Sequence, residues 1–362
     1  SYSIHSSINH SSELFSLYGS LTKRWETGKI SLTAMNGEER TYQSWFGVDA
    51  NTLSSNRTYN PAGEIYDNAG NLQGHYDNQV DDYTQDHYQF HWNQKLNTYT
   101  SFSLGLNYTY GRGFYEEYKD LWFEQNINFS NENNFSYLGL TPYNIGDTMI
   151  DKTENIIKKW LDNHFYVTTF SLNSQKSNTE LDFGAMFSNY IGDHFGELIF
   201  AEYALGGMPR DRFYENQGKK IEGNVYAKIN HQINNRFSGY LDLQYRSIRY
   251  TADGNLKGPT IISVNEDYGF FNPKTGIVFS LNPKNKFYIS YARANREPSR
   301  ADFEEGNPKP EELNDFELGW RFSGIRSSFL ANIYLMDYKN QLALTGALND
   351  VGTPIRVNVG KS

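Results

Sequence analysis

The residue types that do chemistry are present in the chain, but few stand at spacings that chemistry needs. There is no cysteine among the 362 residues, which excludes disulfides, thiol catalysis and cysteine-ligated zinc. No nucleophile elbow, zinc-protease helix or phosphate-binding loop occurs. His87 and His91 are four residues apart. On a helix they could share a metal; on a strand they are about 13 Å apart, too far to hold one ion. The second case fits the local pattern, so they read as two polar residues facing a lumen. Asp67 to Asn71 (DNAGN) lacks the later glutamate of a calcium loop and reads as a tight turn. Asp77, Asp81, Asp82 and Asp86 form an acidic stretch that reads as a solvated loop face. Asn56-Arg57-Thr58 fits a glycosylation pattern that is common by chance in an Asn-rich chain. The reading is a non-enzyme with no cofactor and no metal site.

The richest segment is Tyr291 to Phe322, YARANREPSRADFEEGNPKPEELNDFELGWRF. Pro298, Pro308 and Pro310 stop strand pairing and shape a loop. Arg293, Arg296 and Arg300 stand against Asp302, Glu304, Glu305, Glu311 and Glu312, which predicts ion pairs fixing that loop. Glu297 and Glu317 are expected to anchor it at a rim.

The elements around this segment alternate with period two. Phe102, Leu104, Leu106, Tyr108 and Tyr110 share one face; Ser101, Ser103, Gly105, Asn107 and Thr109 share the other. Such a pattern makes a strand with one apolar and one polar face. It recurs through Tyr88–Trp92, Leu181–Phe187, Ile221–Ile229, Phe237–Tyr245 and Phe316–Phe322. Many runs reach ten residues, the length of a membrane-spanning strand rather than of an ordinary one. Short turns, such as Glu26-Thr27-Gly28, Asn234-Asn235 and Asn282 to Asn285, alternate with long connections. The long ones are about Trp45–Val80, Gly111–Asn155, Ile191–Gly218, Thr251–Gly269, Pro298–Glu312 and Gln341–Ile355. This alternation is the signature of an up-and-down transmembrane barrel. About twelve strands in six hairpins are legible. Arg356 to Ser362 opens a further strand, Tyr2 to His10 is a frayed segment, and Thr153–Asp162 is a short helix or a loop-to-strand transition. A soluble β-sandwich or propeller also alternates, but with shorter strands and without aromatic clusters at strand ends.

Composition agrees. Hydrophobic residues are 38% and aromatics 16%, with 28 Tyr, 24 Phe and 6 Trp. No apolar run is long enough for a membrane helix, yet a barrel strand exposes apolar side chains only at alternate positions. Net charge is −9, with 33 Lys+Arg against 42 Asp+Glu, which argues against nucleic acid as a partner. There is no signal peptide and no initiator Met. The expectation is a targeting segment already removed or a chain that starts mid-protein.

Asn295-Arg296-Glu297-Pro298, then Asn307-Pro308-Lys309-Pro310-Glu311, then Phe316-Glu317-Leu318-Gly319 resemble the two boxes and following strand of TonB-dependent outer-membrane receptors. The loop ERTYQSWFGVDANTLSSNRTYNPAGE and the runs DYTQDHYQFHWNQ and MDYKNQLALTGALNDVGTPIRVNVGKS resemble Bacteroides-type receptors of that family. The motif residues are Arg296, Pro298, Asn307, Pro308, Pro310, Glu311, Glu317 and Gly319. The resemblance implies an all-β fold: part of an antiparallel up-and-down barrel of about 22 strands in the cell outer membrane. Residues 1–362 would be one partial barrel domain, without the plug, the TonB box or the last strands.

The resemblance also implies active import of a large scarce solute, energised by the TonB complex acting on the plug. An iron–siderophore or similar metal chelate leads; cobalamin, haem or oligosaccharide importers of the family, a passive porin and a surface-binding barrel are the alternatives. The segment Ser299–Gly306 has no His, which weakens haem. A soluble carbohydrate-binding or hydrolytic domain is the reading from another class. Bulky anionic chelates suit aromatic faces and arginine. The ligand candidates are therefore Trp45, Arg57 and Tyr59, then Arg210, Arg212 and Tyr214, then Arg296 and Arg300. Outer-membrane lipid is a further partner, and a surface lipoprotein partner is left open.

Overall fold

The computed structural model describes residues 11–44, 49–205, 209–257, 260–348 and 354–362. Its elements in chain order begin with β1 (Ser12–Trp25), β2 (Gly28–Tyr42), α1 (Ala50–Ser55), β3 (Glu64–Tyr66), β4 (Leu72–His75), β5 (Val80–Lys95) and β6 (Thr100–Lys119). One external connection then holds α2 (Leu121–Phe123), a π-turn, α3 (Phe135–Leu138), β7 (Tyr143–Ile145) and β8 (Thr148–Ile150). Five strands follow: β9 (Asn155–Lys176), β10 (Thr179–Ala201), β11 (Arg212–Gln232), β12 (Phe237–Lys257) and β13 (Thr260–Phe271). The rest comprises β14 (Lys274–Asn282), β15 (Asn285–Arg296), α4 (Arg300–Glu304), β16 (Glu311–Ser323), β17 (Ser328–Leu348) and β18 (Pro354–Lys361).

Fourteen of these strands form one antiparallel sheet in the order β1-β2-β5-β6-β9-β10-β11-β12-β14-β15-β16-β17-β18, with β13 on the upper half of β12. β13 and β14 are one returning ribbon broken at Asn272-Pro273. Proline has no N–H to give the ladder, so the upper half leaves β15 while the lower half pairs with it. This break accounts for one of the two sheet strands beyond the twelve read from the sequence, and β18 is the other. Arg356 and its successors do open a strand, β18. Thr153–Asp162 is a loop-to-strand transition, since β9 starts at Asn155. Tyr2–His10 lies outside the described residues.

The long connections are shorter than their sequences suggested. β6 runs on to Lys119, β10 to Ala201 and β12 to Lys257. Above the membrane the outward positions turn polar, so the apolar period ends while backbone pairing continues. Charged cross-strand pairs take over there. Lys158 meets Glu116 at 3.2 Å and Arg112 meets Asp86 at 2.6 Å.

One face of the sheet is apolar and uncovered. Register places Leu181, Ile229, Leu241, Thr275, Tyr291, Phe316 and Leu335 in a single row across seven strands. Leu318 is 53% exposed and Ile333 73%. No second layer of the described chain covers them, and so large an apolar band needs hydrocarbon as its solvent. Aromatic side chains border the band. Near the short turns, the Trp25 and Trp320 indole N–H groups donate to Gln94 Oε1 (3.1 Å) and Asn285 Oδ1 (3.0 Å). At the opposite border, Tyr88, Tyr108 and Tyr166 stack at 6.2 and 4.8 Å.

The other face is polar. There the motif glycine Gly319 lies beneath the ring of Tyr288, its register partner. A Cβ at Gly319 would overlap the ring, so glycine lets the tyrosine lie flat on the wall.

Of the acidic stretch only Asp77 lies in a loop turn; the other three are in a strand, which corrects the sequence reading for them. Asp81, Asp82 and Asp86 lie in β5, where Asp82 pairs with Arg40 at 2.6 Å and Asp86 with Arg112. His87 and His91 share the polar face of β5, and His87 Nδ1 lies 2.9 Å from Thr109 Oγ1. Asp67 accepts from the N–H groups of Ala69 and Asn71, as a tight turn requires.

Candidate functional site

The connection between β15 and β16 does not stand out in solvent. It folds inward as a strap across the polar face. Pro298 is buried and ends β15. Ser299 then caps α4, with Asp302 accepting from the Ser299 N–H (2.7 Å) and hydroxyl (2.8 Å). Pro308 and Pro310 delay pairing until Glu311 faces Arg296 in the register.

Three contacts pin the strap backward in the sheet. Glu297 meets Lys220 of β11 at 2.6 Å and Arg246 of β12 at 3.2 Å, and Arg246 also meets Glu222 at 3.0 Å. Burial pushes the Glu297 carboxyl up, but Lys220 and Arg246 outweigh it and hold it below the usual range. Arg300 donates from Nε to Glu304 (2.7 Å) and from Nη2 to Asn216 Oδ1 of β11 (2.8 Å). Phe303 stacks on Tyr250 of β12 at 5.6 Å. Two contacts pin it forward. Arg356 of β18 pairs with Asp302 at 2.7 Å, and Asn358 exchanges hydrogen bonds with the Lys309 backbone.

The predicted ion pairs therefore form, as Arg293–Glu312 (2.7 Å), Arg296–Glu311 (3.3 Å) and Arg300–Glu304. Glu297 anchors the strap as expected. Glu317 has no such role: it lies lower on the wall, opposite Ser290 and well below the strap's start. Asn307 is exposed at the strap's tip.

Arg300 sits among groups that complete a polar–aromatic patch. Register puts Tyr190, Lys220 and Tyr250 in one row, with His194 and Asn216 four residues higher. The His194 pKa is pushed down to about 4, first by burial and then by Arg300, so its ring is neutral near pH 7. Arg300 Nη1 and Tyr250 Oη are buried without a hydrogen-bond partner. Sequence inspection missed Tyr190, His194, Asn216, Lys220, Arg246, Tyr250 and Phe303. Strand parity marks all but Phe303 as facing inward; only register brings them together.

The other candidates do not join this patch. Arg57 is exposed in a turn after α1. Tyr59 donates to Glu64 at 3.2 Å, and burial with that carboxylate pushes its hydroxyl pKa up to about 12. Arg210 is exposed in a left-handed turn (φ 73°). Arg212 pairs with Glu215 and covers the Phe195 ring on the outward side of β10. Tyr214 is buried with Leu138, Ile157, Leu198 and Phe213 beneath α3, so its ring serves packing. Trp45 lies outside the described residues.

A second polar cluster fastens the β6–β9 connection to the inner wall. Lys119 meets Glu132 at 2.6 Å, and Lys159 meets Glu117 and Glu132 at 2.8 Å each. Burial pushes the Lys159 ammonium down, but Glu117 and Glu132 outweigh it and hold it well above its ordinary value. Among the described residues no group of three His, Cys, Asp or Glu is arranged to hold a metal.

Comparison with known proteins matches this architecture. The family model described as TonB dependent receptor-like, beta-barrel, matches residues 27–362. No curated protein sequence matches. The solved structures with the same fold include the ferric-catecholate import receptor Fiu from E. coli K12 in its closed form. It is 14% identical with TM-score 0.59, over 97% of this chain and 54% of that one. The ferric citrate transporter FecA in its unliganded form is 10% identical with TM-score 0.61, over 96% and 46%. The siderophore receptor PiuA from Acinetobacter baumannii is 13% identical with TM-score 0.58, over 99% and 54%. The chain spans about half the length of these receptors. With its membrane-facing apolar band, its polar lumen wall and a family match across nearly all its length, this outer-membrane chain belongs to the TonB-dependent receptor β-barrel family.

Proposed function

We propose that the chain forms much of the barrel wall of a receptor that imports a large, scarce metal chelate, an iron–siderophore or a close chemical relative. In this reading residues 1–362 are one partial barrel domain. The lumen plug and its contact with TonB, which energises transport, are supplied by sequence outside these residues. The carrying observation is the patch around Arg300. It combines an arginine with an unpartnered N–H, a neutral histidine and the rings of Tyr190, Tyr250 and Phe303. Such a surface suits an anionic chelate with aromatic groups better than a neutral sugar. The structural neighbours whose names include ferric catecholate, ferric citrate and siderophore support the same class. Arg296 and Arg300 remain ligand candidates; Arg57 and Arg210 are exposed candidates at the outer surface.

The test is growth of a deletion strain on single defined iron sources, with ferric-siderophore binding to the purified receptor. Loss of growth on one chelate, restored by the wild-type gene, is the expected result. Arg300→Gln should weaken binding of that chelate about tenfold, equivalent to about 1.4 kcal/mol. Unchanged growth on every iron source, with a defect on cobalamin or an oligosaccharide instead, would refute the chelate reading.

A further inference from the structure

The strap has two tied ends and a middle held more lightly. Ahead of Pro298, Glu297 is tied to Lys220 and Arg246; behind Pro308, the Lys309 backbone is tied to Asn358. Between these ends lies α4. Its internal bonds, Ser299 to Asp302 and Arg300 to Glu304, would travel with it. It meets the wall through Arg300 Nη2 on Asn216 (2.8 Å), through Phe303 stacked on Tyr250 (5.6 Å), and through Arg356, which donates to Asp302 (2.7 Å) and Ser299 (3.0 Å). Glu305, Gly306 and Asn307 are exposed after α4, and a Cβ on Gly306 would meet no atom within 4 Å. The chain can bend there without collision.

The surface between α4 and the wall is incompletely paired. Arg300 Nη1 lies against β11, where a Cβ on Gly218 would stand 3.3 Å from it. Nη1 and the Tyr250 hydroxyl are both shut from solvent without a hydrogen-bond partner. Buried polar atoms left unpaired favour any arrangement that wets them or brings them an acceptor. While α4 is seated, an incoming anion cannot reach either atom. The seated form therefore hides the two groups best suited to bind one.

We propose that α4 is a lid, seated in this structure, that lifts between Pro298 and Gly306 and so controls the access of an anion to Arg300 and Tyr250. The inference rests on the reading of this patch as the binding surface and adds how that surface is uncovered.

The test uses the complete receptor in mild detergent. Residues 1–362 hold no cysteine, so Ala252→Cys can serve as a single reporter in the wall. Ala252 is fully buried and is the register partner of Gly218. The reagent is a sulfonate-bearing methanethiosulfonate, itself a small anion. Modification of the reporter should be slow but go to completion. Arg356→Gln unties α4 from β18 without touching the patch, and should quicken modification at least fivefold. Tyr250→Phe keeps the ring beneath Phe303 but removes the unpartnered hydroxyl. The seated form then gains, and modification should slow at least threefold. A loop that is merely packed would be loosened or unaffected by that change. Hydrogen exchange of the α4 amides, measured without the reporter, should follow the same order, and decides alone if the cysteine disturbs the fold. Unchanged rates in Arg356→Gln, or equal or faster rates in Tyr250→Phe, would overturn the lid. No imported solute enters these measurements. A lid that behaves as stated in a receptor that binds no ferric chelate would refute the chelate reading alone.

Discussion

Arg300 Nη2 donates to Asn216 Oδ1 at 2.8 Å although 84 residues separate them in the chain. The arginine follows β15 and the asparagine lies in β11, three places away in the sheet. One hydrogen bond thus joins the family-motif loop to a distant part of the wall. With the Glu297 and Asp302 ion pairs it turns a loop into a strap.

Breaking that bond should free the strap while leaving the barrel intact. Arg300→Lys keeps the charge but loses the planar fork that serves Glu304 and Asn216 together. A lost charged hydrogen bond at a mostly buried site costs about 1.5–3 kcal/mol. The expected outcome is faster cleavage after Glu305 by a glutamate-specific protease, with unchanged heat-modifiable mobility on gels. Asn216→Leu should give the same cleavage phenotype.

The strap should also loosen in mild acid. His194 is neutral in the folded wall, with a pKa pushed down to about 4 from the ordinary value of about 6.5. Below pH 6.5 the opened state takes up a proton that the closed state refuses. The stability this group contributes is complete above pH 6.5 and declines as pH falls toward 4. Hydrogen exchange of the strap amides should therefore rise across that window in the wild type. In His194→Gln the rise should be largely gone.

Gly319 should tolerate no side chain while Tyr288 lies flat on it. Gly319→Ala forces the ring off the wall, at a cost of about 1–3 kcal/mol. A lowered unfolding temperature on heat-modifiable gels is the readout. Adding Tyr288→Ala to that variant should recover part of the loss, giving non-additive coupling between the two sites.

Lys159→Met should detach the β6–β9 connection. It removes the closer of two cations from buried Glu117, leaving Lys119 at 3.4 Å, and costs about 1–3 kcal/mol. Hydrogen exchange around α3 should increase sharply, while amides of β16 and β17 stay protected. Uniform exchange across the whole sheet would contradict a local anchoring role.

The period of two was enough to give the strand class and the lipid-facing side. It depends only on which residues meet water or hydrocarbon, and each residue carries that preference itself. Turn residues likewise marked the short connections. The prolines and alternating charges of Tyr291–Phe322 marked a fixed loop.

The sequence could not show where Arg300 points. Its neighbours Asn216, His194 and Tyr250 come from strands whose register is set by backbone pairing over some fifty to a hundred residues, which local preferences do not encode. The same holds for the upper strand halves, where charged pairs replaced the apolar period, and for Tyr214, whose burial required α3 to fold back over it. Residue preference decided what each face of the ribbon is made of; pairing across the sheet decided which residues meet.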